Sequence, residues 1–149
     1  MKLTHLDAAG RARMVNVGHK PPMHRTALAR GFIRLTPNTL RLLRRKGLPK
    51  GDALTVAQIA GIQAAKETAR LIPLCHTLPL DAVKVQFKFK PRGIEIEAEA
   101  QTTAKTGVEM EALTAVSIAA LALYDMCKAV DRKMVIGPVR LIRKIKGLA

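Results

Sequence analysis

The chain reads as an α+β domain, a ferredoxin-like antiparallel sheet packed with helices, and as a subunit of an oligomer. Three observations carry that reading. Two adjoining segments alternate strictly: Val83, Val85, Phe87 and Phe89 against lysine and glutamine, then Ile94, Ile96, Ala98 and Ala100 against glutamate and glutamine. A long apolar run, Gly107 to Met134, has helical rather than alternating spacing. The full order is strand, two helices, strand, strand, helix, strand, which is the β-α-β-β-α-β arrangement. Helices on one face leave the other face of the sheet to be covered, so an oligomer is expected.

Each element has its own local cause. Residues 1–24 show little periodicity and end near Pro21-Pro22, which predicts a mobile or loosely attached arm. From Arg25 to Leu35, Ala27, Ala29, Gly31, Ile33 and Leu35 alternate with Arg30 and Arg34, the pattern of a half-buried strand. Thr36-Pro37 then supplies a cap and a first-turn proline, and Gly47 ends that helix. Its Arg41, Arg44, Arg45 and Lys46 make a basic surface, most simply a solvated face. A second helix starts at Asp52 and runs to about Leu71, where Pro73 stops it. The small residues Ala53, Ala57, Ala60, Gly61 and Ala64 admit close approach of another backbone. Matching the apolar faces of the hairpin requires an even-numbered loop around Pro91-Arg92-Gly93, which also sets lysines opposite glutamates. Val135 to Ile145 returns as the last strand.

The long helix carries more than packing. Leu113, Val116, Ala120, Leu123, Cys127 and Val130 form a core-facing seam. Glu109, Glu111, Asp125 and Lys128 interrupt apolar surroundings, where charge is costly unless partnered. At roughly 100° per residue, Glu111, Ile118, Leu121, Asp125 and Lys128 share a broad stripe. Asp125 and Lys128, three apart, can face one pocket. A rise of about 1.5 Å per residue separates Glu111 from Asp125 by roughly 21 Å, too far for one small ligand. Either the two serve different sites or a neighbouring subunit brings the opposite end alongside, and the second reading is favoured.

Composition narrows the class. The 149 residues suit one domain spanning 1–149, and a 48% hydrophobic fraction supports a real core. Cys75 and Cys127 are too few for a disulfide framework. The opening MKLTHLDAAG is not a secretory leader, and acids with Lys128 break the apolar helix, so neither export nor a membrane span is expected. That places the protein in the cytoplasm. The 26 basic and 11 acidic residues leave a net charge of +15, which attracts polyanions. A nucleic-acid binder would carry stacking aromatics among its cations. Here only Phe32, Phe87, Phe89 and Tyr124 are aromatic, and the phenylalanines of the hairpin serve its apolar face. A phosphate-rich small molecule explains the charge at least as well, while a purely structural oligomer leaves it unexplained.

Several side chains could do chemistry. LIPLCH at 71–76 sets His76 just beyond a proline-stopped helix, where it can move protons or hold a phosphate. A hydrogen-bonded structural histidine is the plainer alternative. Zinc on Cys75 and His76 is not expected, because adjacent ligands diverge in extended chain and no second cluster exists. Lys50, before the helix start at Asp52, is a reasonable anion site, and Arg25 at a strand entrance could serve similarly. Asp125 with Lys128 could equally be a surface ion pair.

Taken together, LIPLCH at 71–76, KGDALTVAQIAGIQAAK at 50–66 and GVEMEALTAVSIAALALYDMCKAVDRKMVIGPVRL at 107–141 resemble the cyclic pyranopterin monophosphate synthase family. These are the MoaC-type enzymes of molybdenum cofactor biosynthesis. The resemblance extends to LTHLDAAGRARMVNV at 3–17. It departs after His76, where the family pattern has proline and this chain has Thr77, with proline delayed to Pro79. The resemblance implies conversion of 3′,8-cyclo-7,8-dihydro-GTP to cyclic pyranopterin monophosphate with release of pyrophosphate. It implies Asp125, Lys128 and Lys50 as catalytic residues. It implies Leu74, Cys75, His76, Met110 and Glu111 as substrate-binding, with Glu109 and Arg25 in support. No resident metal or redox cofactor is implied, though Mg2+ can accompany the triphosphate. Partners are a purine-derived triphosphate and further copies of the chain, as a hexamer built from three dimers, with no nucleic acid and no membrane.

Overall fold

The computed structural model describes residues 5–147. Four strands, β1 (Met23–Arg34), β2 (Ala82–Lys90), β3 (Gly93–Ala104) and β4 (Val135–Lys146), form one sheet in the order β2-β3-β1-β4. Every neighbouring pair is antiparallel. The helices are α1 (Pro37–Arg44), α2 (Ala53–Lys66), α3 (Thr68–Leu71) and α4 (Glu109–Cys127). This is the ferredoxin-like order expected, with the central strands contributed by β1 and β3.

The hairpin register follows from the side-chain period of two. Val83 faces Ala100, Val85 faces Ala98, Phe87 faces Ile96 and Phe89 faces Ile94, with Pro91-Arg92 as a two-residue loop between Lys90 and Gly93. The inner face, Ala27, Ala29, Ile33, Ile94, Ile96, Ala98 and Ala100, is buried beneath the helices. On the other face Arg30 and Lys88 both reach Glu97, at 2.6 and 2.7 Å. Those hairpin charges hold strands together. Small residues bring helix to sheet and helix to helix: a Cβ on Gly31 would collide with the Val116 side chain, and one on Gly61 of α2 would sit 3.0 Å from the Ala115 carbonyl oxygen of α4.

The α4 helix is long and apolar enough to cross a membrane by length and composition alone. Its Ala112, Ala115, Val116, Ala119, Ala120 and Leu123 are fully buried in the protein core instead. It is shorter than the run Gly107 to Met134, because the chain turns out at Cys127 and sends Asp131 to α1. There the Asp131 carboxylate accepts from the Thr36 N–H at 2.8 Å and the Thr39 hydroxyl at 3.0 Å. The helix expected from Asp52 to Leu71 breaks at Glu67, where the Thr68 hydroxyl donates back to the Ala64 carbonyl. The left-handed residue closing α1 is Lys46, at φ 52°, not Gly47; the Gly47 N–H then returns to the Leu42 carbonyl at 2.9 Å. Of the segment read as an arm, residues 5–22 are described. Within it the Val15 and Gly18 carbonyls accept hydrogen bonds from His76 and Lys105, at 2.7 and 2.8 Å.

Candidate active site

The N-terminal end of α4 opens on a cavity of about 360 Å³. Leu74, Cys75 and His76 wall it from the loop after α3, and Glu109, Met110 and Glu111 from the first turn of α4. The helix stops before Pro73, and the Cys75 N–H turns back to the Ile72 carbonyl at 3.1 Å. From there the chain runs to Leu80 without regular secondary structure, lining the cavity with His76 and Leu78. A carbonyl can only accept, so His76 donates to Val15 from Nε2, which leaves Nδ1 as the lone-pair nitrogen of the neutral ring.

The two glutamates are driven in opposite directions. Glu111 is only 4% exposed. Burial raises its pKa above the ordinary range, its own N–H opposes this, and the Glu109 charge adds to the rise. Burial pushes on Glu109 as well, but its own N–H, the Lys144 ammonium at 3.0 Å and the more distant Arg25 outweigh it, so Glu109 titrates low. Separation of this kind is how two carboxyls come to play different roles in proton transfer. Burial, then Glu111, raises the Cys75 thiol, which makes it a poor nucleophile. Arg25 lies in an adjoining hollow of about 230 Å³ with Glu109, Lys144 and Lys146. Its guanidinium donates to the Ala104 and Lys105 carbonyls, both at 3.2 Å.

At the far end of α4, Asp125 sits between two ammonium groups: Lys128 Nζ at 2.6 Å and Lys50 Nζ at 2.7 Å. Lys50 also donates to the Asp125 carbonyl at 3.2 Å. Hydrogen bonds from Lys128, then Lys50, lower Asp125 to about 2, and the same contact raises Lys128. All three are open, with the Asp125 side chain 54% exposed. Glu111 therefore does not share an exposed stripe with Asp125 and Lys128. The 71–76 loop and residues 15–17 wall it in, whereas nothing in the described chain covers the other end. Among the described residues, no three His, Cys, Asp or Glu side chains converge as a metal-binding set.

The structure thus gathers the sequence candidates into two groups at opposite ends of one unbroken helix. Comparison with known proteins bears directly on what those groups are. The model of the MoaC family matches residues 14–147. A protein of Chloroflexus aggregans is 60% identical over 148 residues, covering 98% of this chain and 90% of that protein. One from Pelotomaculum thermopropionicum is 58% identical over 147 residues, 97% of this chain and 86% of its own. A third, from Thermomicrobium roseum, is 56% identical over 148 residues, 98% and 89% respectively. All three are named cyclic pyranopterin monophosphate synthase. This chain belongs to the MoaC family.

Within this MoaC-family chain the structure also adds residues that the motifs did not single out. Lys20 and Val17 from the N-terminal segment and Thr106 from the turn after β3 line the first cavity. Lys144 holds Glu109 from the last strand. The β4 register, which sets Lys144 opposite Ala27, could have located it; no local motif does. Thr77 makes no side-chain hydrogen bond among the described residues, and the chain around it has no regular secondary structure.

Proposed function

We propose that the chain is a cyclic pyranopterin monophosphate synthase, a lyase of molybdenum cofactor biosynthesis. It converts 3′,8-cyclo-7,8-dihydro-GTP to cyclic pyranopterin monophosphate and releases pyrophosphate. What carries this reading is the pairing of an acid-bearing cavity with a separate cationic cluster on a chain so similar to proteins of that name. In the closing step a sugar hydroxyl attacks the α-phosphorus, loses its proton to a base, and the α–β phosphoanhydride bond breaks. Lys50 and Lys128 suit the phosphate side, because two ammonium groups offset charge developing on pyrophosphate. Asp125, held at about 2, is a weak base; its part is to fix both lysines and keep Lys128 protonated as an acid. Glu111 and His76 suit the ring chemistry: burial raises the Glu111 carboxyl so that it holds a proton more readily than an open carboxylate, and the His76 imidazole beside it can accept or donate one. Mg2+, where present, arrives with the triphosphate as part of the substrate.

Uniting these groups on one ligand requires two copies of the chain, as in the trimer of dimers the family resemblance implies, working in the cytoplasm. The experiment is direct: supply the cyclised nucleotide and follow the pyranopterin product and pyrophosphate together. Equimolar appearance of both is expected, and Asp125→Asn should lower the rate by about 10²–10⁴. Release of neither product by the intact protein would refute the assignment.

A further inference from the structure

The opposite end of the sheet from the His76 cavity holds a cationic hollow that the reaction does not use. It measures about 340 Å³, within the range of small-molecule pockets. Arg34, Arg92 and Lys133 line it, with no carboxylate in its wall. The fold drives these three cations together. Arg34 is the last residue of β1, paired on one side with Gly93 and on the other with Val135. Arg92 lies in the two-residue hairpin loop, pinned where its carbonyl accepts from the Leu35 N–H at 3.0 Å. Lys133 stands just before β4, its own N–H bonded to Asp131 at 3.0 Å.

Like charges gathered on rigid backbone repel, so the arrangement is costly unless something neutralises it. Among the described residues none of the three enters an ion pair. Asp131, two residues before Lys133, is 3% exposed, and its carboxylate is committed to Thr36, Thr39 and the Lys133 N–H, while Glu95, diagonal to Arg34 across the sheet, pairs with Arg30, Lys88 and Lys90. Thr36 in turn caps α1, its hydroxyl accepting from the Thr39 N–H at 3.3 Å, so the pull on an anion comes from the side chains. The hollow's remaining wall, Leu35, Thr36, Pro37 and Pro91, offers no aromatic face for a base.

We propose that this hollow binds a multiply charged phosphate group, a pyrophosphate or the polyphosphate tail of a nucleotide, at a site separate from the catalytic groups. Two guanidinium forks and an ammonium match phosphate oxygens better than any single surface lysine could. The proposal does not rest on the assigned reaction.

Methyl-resolved NMR of the intact oligomer, titrated with inorganic pyrophosphate at constant ionic strength, tests it. Leu35 and Val135 report on the hollow, Leu121 on the catalytic lysine end and Leu78 on the first cavity. Saturable shifts at Leu35 and Val135 are expected, with a Kd below ~1 mM. The combined R34Q, R92Q and K133Q variant should weaken them at least about tenfold while shifts at Leu121 persist. Should that variant fold poorly, K133Q alone, at an exposed position, should still weaken binding severalfold. A parallel GTP titration separates the sources: shifts with GTP as well assign a nucleotide tail, and shifts with pyrophosphate alone assign the free anion. Shifts that never saturate, that chloride reproduces, or that survive K133Q and the combined variant unchanged would overturn the proposal.

Discussion

Glu111 and Asp125 bear the same charge on the same helix, yet their surroundings move them apart. Asp125 is open to water and held low by two lysines, whereas Glu111 is buried and raised. The sign for stability follows from linkage. A folded pKa above the unfolded value means that Glu111 contributes most below about 4.5, and that its contribution is lost as pH rises through the folded value. Above the folded value the ionised, buried Glu111 carboxylate costs the fold stability. Glu111→Gln should melt at a higher temperature than the parent at neutral pH, lose that alkaline-side decline, and turn over far more slowly. Thermal melts between pH 4 and 8, run beside the product assay, check all three; an unchanged pH dependence would place Glu111 in ordinary solvent. Asp125 behaves in the opposite sense. Its contribution is present above about 3.8 and lost only as pH falls through about 2, so the lysine cluster persists across the whole physiological range.

At the scale of elements, α4 is positioned by what its neighbours lack. Gly31 lets the helix settle on β1, since any Cβ there meets Val116. Gly31→Ala should cost about 1–3 kcal/mol through overpacking, lowering the melting temperature by roughly 2–4 °C per kcal/mol for a chain of this size. Denaturant unfolding measures it, and a neutral result would mean that α4 can shift without loss. Periodicity made the elements legible: the hairpin register, the α1 cap and the α4 seam all follow from spacing and local chemistry. The helix ends were less so. The stop at Cys127 depends on Asp131 reaching α1 across the fold, and the break at Glu67 on one threonine hydroxyl. The candidate site was legible as residue types on a helix. The burial of Glu111 and the Lys144 contact were not, because both come from segments distant in sequence.

On the proposed reading, one molecule of the protein holds two halves of a site and a second copy completes it. The α4 helix runs unbroken from Glu109 to Cys127, so its rise keeps Glu111 and Asp125 roughly 21 Å apart. Exposed apolar side chains, Leu121 and Tyr124 on α4 with Val56 and Ile59 on α2, adjoin the open lysine end, where a second copy would close over it. An antiparallel pairing would set the His76 and Glu111 of one copy beside the Lys50, Asp125 and Lys128 of the other. The most direct measurement mixes two inactive variants, His76→Ala and Asp125→Asn, under conditions where mass spectrometry shows that subunits exchange. Each mixed pair would then hold one doubly damaged site and one intact site, and random exchange should restore about a quarter of the parental activity. Full exchange with activity no higher than that of the separate variants would contradict the shared site.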